Sequence, residues 1–238
     1  MGARDSTERY AKERRMPELS FQIEAVEAAA FSATPQLNLR ILIRSSEPGT
    51  QIQNILLQCQ IQIEPARRKY EGGEQSDLRD LFGEPDRWGQ TLRPMLWTNT
   101  SSIVPAFQGE IVAEVALPCT FDFTVAATKY FHGLRNGDIP ICALFSGTIF
   151  YATEEAGWQV EKIPWNREAS YRVPVRVWKE MMDRYYPNTA WLCLRRDVFE
   201  QLHQYKASHG IPTWEQAFES LLLSAEASAF RSVLKTDA

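Results

Sequence analysis

The sequence predicts a mainly β (α+β) domain: an antiparallel β-sandwich or strongly curved sheet with helices at its C-terminal end. Three observations predict it. First, Ile55, Leu57, Cys59, Ile61 and Ile63 fall on one parity, while Gln58, Gln60, Gln62 and Glu64 fall on the other. Successive side chains of a strand point to opposite faces, so this is a strand with one dry and one wet face. Second, the same alternation recurs through most of the chain in segments joined by short links, as in an antiparallel meander. Third, the apolar spacing turns helical after Pro174.

The elements follow in order. Residues 1–16 are mostly charged or small and read as a disordered tail. Leu19, Phe21, Ile23 and Ala25 alternate with polar neighbours and give a first strand. Leu37, Leu39, Ile41 and Ile43 give a second, and Glu47-Pro48-Gly49 a turn. The strand from Gln53 to Glu64 is the third. Residues 65–94 interrupt the pattern with glycines and prolines and read as a long loop, a length often associated with function. It holds one short predicted helix, Ser76 to Phe82, with Ser76 as N-cap. Strands resume at 95–103, and a further parity row runs from Ile111 past Pro118 through Cys119, Phe121 and Phe123 to Val125. The apolar run 139–151 suits a strand buried on both faces, with Gly147 at a bulge. Segments 158–165 and 169–173 then form a hairpin and edge, closing a β-rich body over 17–173.

From 174 to 226 the chain reads as a helical part of the same domain. Val175, Trp178, Met181, Met182 and Tyr185 lie at helical spacing behind Pro174. A short strand is expected at 191–194. Asp197 and Glu200, then Thr213 and Gln216, have the spacing of capping boxes for two further helices. Residues 227–238 are a tail.

Composition limits function. The chain has 238 residues and a formal net charge of −4, which disfavours a broad nucleic-acid surface. It lacks the long apolar run of a membrane helix and, at its start, the apolar core of a signal peptide. A cytoplasmic location is therefore expected, with the four cysteines reduced. No cofactor is expected, because no phosphate-binding glycine loop follows a strand.

Catalytic candidates are absent from this reading. A thiol nucleophile needs a lowered pKa, a base and exposure. Cys59 and Cys119 lie on dry rows, and Cys142 lies in an apolar run. Cys193 sits near Arg195 and Arg196 and has the most electropositive surroundings. Carboxylates show no pairing that raises a pKa. The cluster Arg67-Arg68-Lys69 reads as a solvated run. Binding candidates come from the long loop: Arg87, Trp88 and Arg93, since arginine and tryptophan are enriched at interface hot spots. Trp88 either contacts a partner or pins the loop to the sheet. A weaker metal or redox alternative combines Cys59, Cys119 and His132, because two inward rows can meet across two sheets.

Several strings together carry a family resemblance. They are Gln58-Cys59-Gln60-Ile61-Gln62-Ile63-Glu64-Pro65, Leu81-Phe82-Gly83-Glu84-Pro85-Asp86-Arg87-Trp88-Gly89, Leu117-Pro118-Cys119-Thr120-Phe121-Asp122-Phe123, Leu144-Phe145-Ser146-Gly147-Thr148-Ile149-Phe150-Tyr151 and Pro212-Thr213-Trp214-Glu215. The chain resembles an uncharacterised bacterial family whose members are often encoded near uptake NiFe hydrogenase genes. The resemblance spans residues 17–223 and supplies no activity, ligand or catalytic residue. It implies an association with hydrogenase assembly or maturation. The function expected is thus a non-enzymatic accessory or protein-binding factor, with a hydrogenase subunit or maturation factor as partner. The alternatives are the Cys59/Cys119 metal or redox site and a chaperone-like binder that adds a peptide strand to a free sheet edge.

Overall fold

The computed structural model describes residues 17–119, 125–153, 157–189, 192 and 194–236. Contacts divide the chain into two compact units, Met1–Asn188 and Thr189–Ala238.

Among the described residues all the strands lie in the first unit: β1 (Leu19–Ala28), β2 (Gln36–Ser45), β3 (Gln51–Ile63), β4 (Met95–Val104), β5 (Phe107–Gln108), β6 (Glu110–Pro118), β7 (Asp138–Thr153) and β8 (Gly157–Pro174). Every pairing is antiparallel. One sheet runs β1-β2-β6; the other runs β4-β3-β7-β8, with β5 also on β3. The architecture is mainly antiparallel β in two sheets, as the alternation predicts.

The dry rows face one shared core. Leu37, Leu39, Ile41 and Ile43 of β2 and Ile55, Leu57, Cys59, Ile61 and Ile63 of β3 are all buried there. Each such aliphatic side chain contributes about 1.5–3 kcal/mol on leaving water. Phe21 of β1 stacks on Phe145 of β7 across the layers, with ring centroids 4.4 Å apart. One edge is closed by side chains. Thr100 and Ser102 share the inward face of β4 with their partners Cys59 and Leu57. Their hydroxyls donate to the Ala116 and Glu114 carbonyls of β6 at 2.9 and 3.4 Å.

Helices close one end. The 65–94 connection holds α1 (Gly72–Asp77), α2 (Arg79–Phe82) and α3 (Trp88–Thr91), with 3-10 turns at Pro65–Arg67 and Pro85–Arg87. Helix α4 spans Val125–Gly133 and α5 spans Val175–Tyr185. Phe131 of α4 lies 5.0 Å from Trp97 of β4 and 5.2 Å from Trp178 of α5 by ring centroids. These large rings contribute apolar burial plus edge-to-face attraction.

The second unit holds α6 (Arg196–Ser208) and α7 (Trp214–Thr236). Gly210, at φ +63°, turns the chain between them. Thr213 Oγ1 then accepts the Gln216 N–H at 3.2 Å and caps α7. Tyr205 and Ser220 join the two helices by a hydroxyl pair at 2.8 Å.

Several expectations need correction. The parity row of β6 ends at Pro118, and Val125 opens helix α4 instead of ending a strand; Phe121 and Phe123 lie outside the described residues. Pro118 still stands opposite Gln36 and the Cys119 N–H bonds to the Pro35 carbonyl at 2.9 Å, so β6 ends where its partner β2 begins, not because the proline breaks the ladder. The expected hairpin over 158–173 is one continuous strand, β8. Its break is a bulge: Phe145 pairs with Arg167 but Gly147 with Ile163, leaving Pro164, Trp165 and Asn166 opposite Ser146. Strand β7 is buried on both faces only over 139–143 and alternates beyond. Helix α1 is capped by Glu71, not Ser76, through a box with Glu74. Helix α7 runs to Thr236, into the segment read as a tail. The expected strand at 191–194 falls partly outside the described residues; Leu192 and Leu194 are not in a strand. Residues 1–16 also lie outside.

Gly147 is required by close approach. Its φ is +139°, and a Cβ there would stand 2.0 Å from the Leu56 carbonyl oxygen. Gly147→Ala should destabilise the protein by about 2–4 kcal/mol in urea unfolding, from backbone strain and a main-chain clash. A change within about 0.5 kcal/mol, typical of a neutral surface site, would contradict this packing.

Candidate functional site

The loop residues singled out by sequence divide sharply. Trp88 is buried, and its indole N–H donates to the Gly83 carbonyl at 2.9 Å. Its ring meets Tyr70 and Phe82 edge-on, with centroids at 5.1 and 5.8 Å. Trp88 therefore pins the loop rather than presenting a contact. Arg87 and Arg93 are exposed.

The proposed metal ligands are placed in different settings. Cys59 lies in β3 between Thr100 and Phe145. Cys119 follows β6, where its N–H donates to the Pro35 carbonyl at 2.9 Å. Both are buried free thiols, and burial pushes each up to about 12. His132 is exposed and edges onto Trp178 at 4.9 Å. Burial and then the charge of Lys179 lower its pKa. Among the described residues no group of three or more His, Cys, Asp or Glu is arranged to hold a metal ion. Cys193 lies outside the described residues.

The basic run is not wholly a solvated surface. Arg67 and Lys69 are exposed, but the Arg68 side chain is buried against Glu74 at 2.5 Å. Arg68 Nη1 donates to the Asp138 carbonyl at 2.8 Å and Nη2 to the Asn136 carbonyl at 2.6 Å. Its guanidinium lies 5.6 Å from the Tyr70 ring centroid. Glu74 also accepts the Arg135 N–H at 2.8 Å. Burial opposes the charged form of Glu74, but the hydrogen bonds from Arg68 and Arg135 outweigh it and hold its pKa below the usual value. Tyr70 donates to the Pro65 carbonyl and meets the Tyr130 hydroxyl at 2.9 Å. This network staples the 65–94 connection to the turn before β7.

A second surface was hidden in the even parity of β3. Cross-strand pairs place Ile103, Leu56, Thr148 and Lys162 in one row on the outer face of the larger sheet. Phe150 and Val160 pair in the next row, and Ala152 and Trp158 beyond it. Leu56, Ile103, Val160 and Trp158 are 46%, 71%, 59% and 68% exposed, a diagonal apolar patch at one end of the face. Toward the other end lie Gln58, Ser101 and Ser146, then the row Asn99, Gln60 and Leu144, which ends on the exposed Glu168 of β8. The signal in sequence was Leu56, the one apolar residue in an otherwise glutamine-rich wet row.

The β8 edge carries Lys162, Pro164 and the bulge, features that discourage strand addition. Trp165 in that bulge is 87% exposed.

Thiol chemistry gives a direct check of the core assignment. Native Cys59 and Cys119 should react with an aromatic disulfide reagent at pH 8 at least about a hundredfold more slowly than in denaturant. Their folded-state values of about 12 lie above the ordinary 9.0, so the neutral thiols favour the fold at low pH. That contribution is fully present below about pH 9 and is lost as the pH rises toward 12. Equal reactivity before and after unfolding would contradict their burial.

Comparison with known proteins adds a family. Among solved structures, the chain is similar to a late embryogenesis abundant (LEA) protein in solution, at 10% identity and TM-score 0.31, covering 71% of this chain and 79% of that one. It is also similar to the CARDB domain of the PF1109 protein from Pyrococcus furiosus, in complex with di-metal ions, at 12% identity and TM-score 0.27, covering 68% and 94%. No curated protein matches it. The sequence model of DUF6084, a family of unknown function, matches residues 16–230, and the chain belongs to that family.

Proposed function

We propose that this protein is a non-enzymatic accessory factor that binds another protein through the outer face of its larger sheet. The observation that carries the reading is the apolar patch of Leu56, Ile103, Phe150, Val160 and Trp158 beside a polar Gln/Ser/Asn surface, with the charges of these rows, Lys162 and Glu168, confined to the edge strand β8. Contiguous exposed apolar patches mark interaction sites, and interface centres are depleted in charge and enriched in aromatic residues. A sheet face is also rigid, so docking orders few side chains and little backbone. The partner class we put first is a hydrogenase subunit or maturation factor, on the strength of the sequence resemblance alone.

The buried free thiols of Cys59 and Cys119 do not favour a metal or redox role, because burial holds them neutral and their surroundings are apolar. The protected β8 edge does not favour peptide capture by strand addition.

The test is affinity purification from cells that express the protein naturally, comparing wild type with Leu56→Glu/Val160→Glu. Both positions are outward, so the variant should melt within a few degrees of wild type. Wild type should recover a hydrogenase subunit or maturation factor and the variant should lose it by at least about tenfold, as expected for hot-spot loss. Equal recovery would refute the sheet face as the contact. Absence of hydrogenase proteins from the wild-type sample would refute the partner class.

A further inference from the structure

At the helical end of the first unit a cleft of about 450 Å³ opens between the Pro65–Arg67 turn, the turn at 136–138 and β8. Four cations line it: Arg67, Arg68, Lys69 and Arg172. Three carboxylates share it, but Glu74 is committed to Arg68 and to the Arg135 N–H, which leaves Glu71 and Asp138. Arg67 is steadied by Glu64 at 2.9 Å and Ser170 at 3.4 Å, and Arg172 by the Arg67 carbonyl at 3.3 Å. A guanidinium has five N–H donors, so both keep donors in reserve.

Arg68 is the centre of the site. Its side chain is 8% exposed, and the Gly137 turn lets it lie close: a Cβ at Gly137 would stand 3.1 Å from Nη1. Three of its donors are spent on Glu74, Asn136 and Asp138. Its Nε–H is buried and has no hydrogen-bond partner. Native folds rarely leave such a donor unpaired. Stability alone is also a poor reason to bury this ion pair, since apolar replacements of such pairs are often neutral or stabilising.

We infer that this cleft binds a phosphate group, with Arg68 at its base and Arg67, Lys69 and Arg172 around its mouth. A phosphate offers several acceptor oxygens and fits the planar, forked donors of arginine. The site lies apart from the apolar sheet face in sequence and chemistry, so the inference does not depend on the protein-binding reading.

The experiment is a titration of the full-length protein with inorganic phosphate, against sodium chloride at matched ionic strength, followed by nitrogen–proton NMR. The Arg68 Nε–H signal should shift saturably with phosphate and not with chloride. Arg67→Ala/Arg172→Ala removes two exposed side chains and should keep the backbone spectrum while weakening phosphate affinity at least tenfold. A wild-type protein whose Arg68 signal does not move, or moves equally with chloride, overturns the inference. So does undiminished affinity in the folded double variant.

Discussion

The structure depends on keeping one face of β3 dry. This strand lies inside the larger sheet, bonded to β4 on one side and β7 on the other. Its row Ile55, Leu57, Cys59, Ile61 and Ile63 lies in one core with the inward residues of the β1-β2-β6 sheet and is buried throughout. Because the side-chain period of a strand is two, fixing this row fixes the other. Leu56, Gln58, Gln60 and Gln62 must face out. The core and the candidate interface are thus two consequences of one register. A slip by one residue would bury three glutamines and expose the aliphatic row together. Gly147 guards that register from the β7 side, where the two backbones approach too closely for a Cβ.

The helical end obeys a different constraint. A sandwich leaves its open ends to be capped, and here the cap is the 65–94 connection, made of short helices and 3-10 turns. Trp88, Phe82, Tyr70 and Tyr130 form its apolar plug through edge-on ring contacts. Arg68 and Glu74 fasten its polar side to the chain before β7. Removing either charge would leave the other buried and uncompensated, a change that typically costs about 3–5 kcal/mol. The same fastening places several cations around one cleft, so the stapling of the loop and the proposed phosphate site share a cause.

Much of the sheet was legible because alternation reports burial directly. Leu37 to Ile43 and Ile55 to Ile63 could be assigned from parity alone. What failed was long-range or conformational. Nothing local distinguishes Val125 as a helix start from Val125 as the end of a strand row. The bulge at Pro164–Asn166 resembles a turn in sequence, and only pairing with β7 shows a single strand. Arg68 was hidden between two exposed basic neighbours, since its burial depends on Glu74, Asn136 and Asp138. Trp88 was ambiguous for the same reason: its partners Tyr70 and Gly83 lie elsewhere in a connection without period. Leu56, Val160 and Trp158 carry an interface signal only once β3, β7 and β8 are side by side.

The central claim is that β3 parity separates fold from recognition. Its most direct measurement is a single-residue aspartate scan along 55–62, reading thermal stability at each position. Ile55, Leu57, Cys59 and Ile61 should each lose the folded state or drop steeply in melting temperature. Leu56, Gln58, Gln60 and Gln62 should stay within a few degrees of wild type. A scan without this two-residue alternation, or one in which the even positions collapse as the odd ones do, would contradict the account.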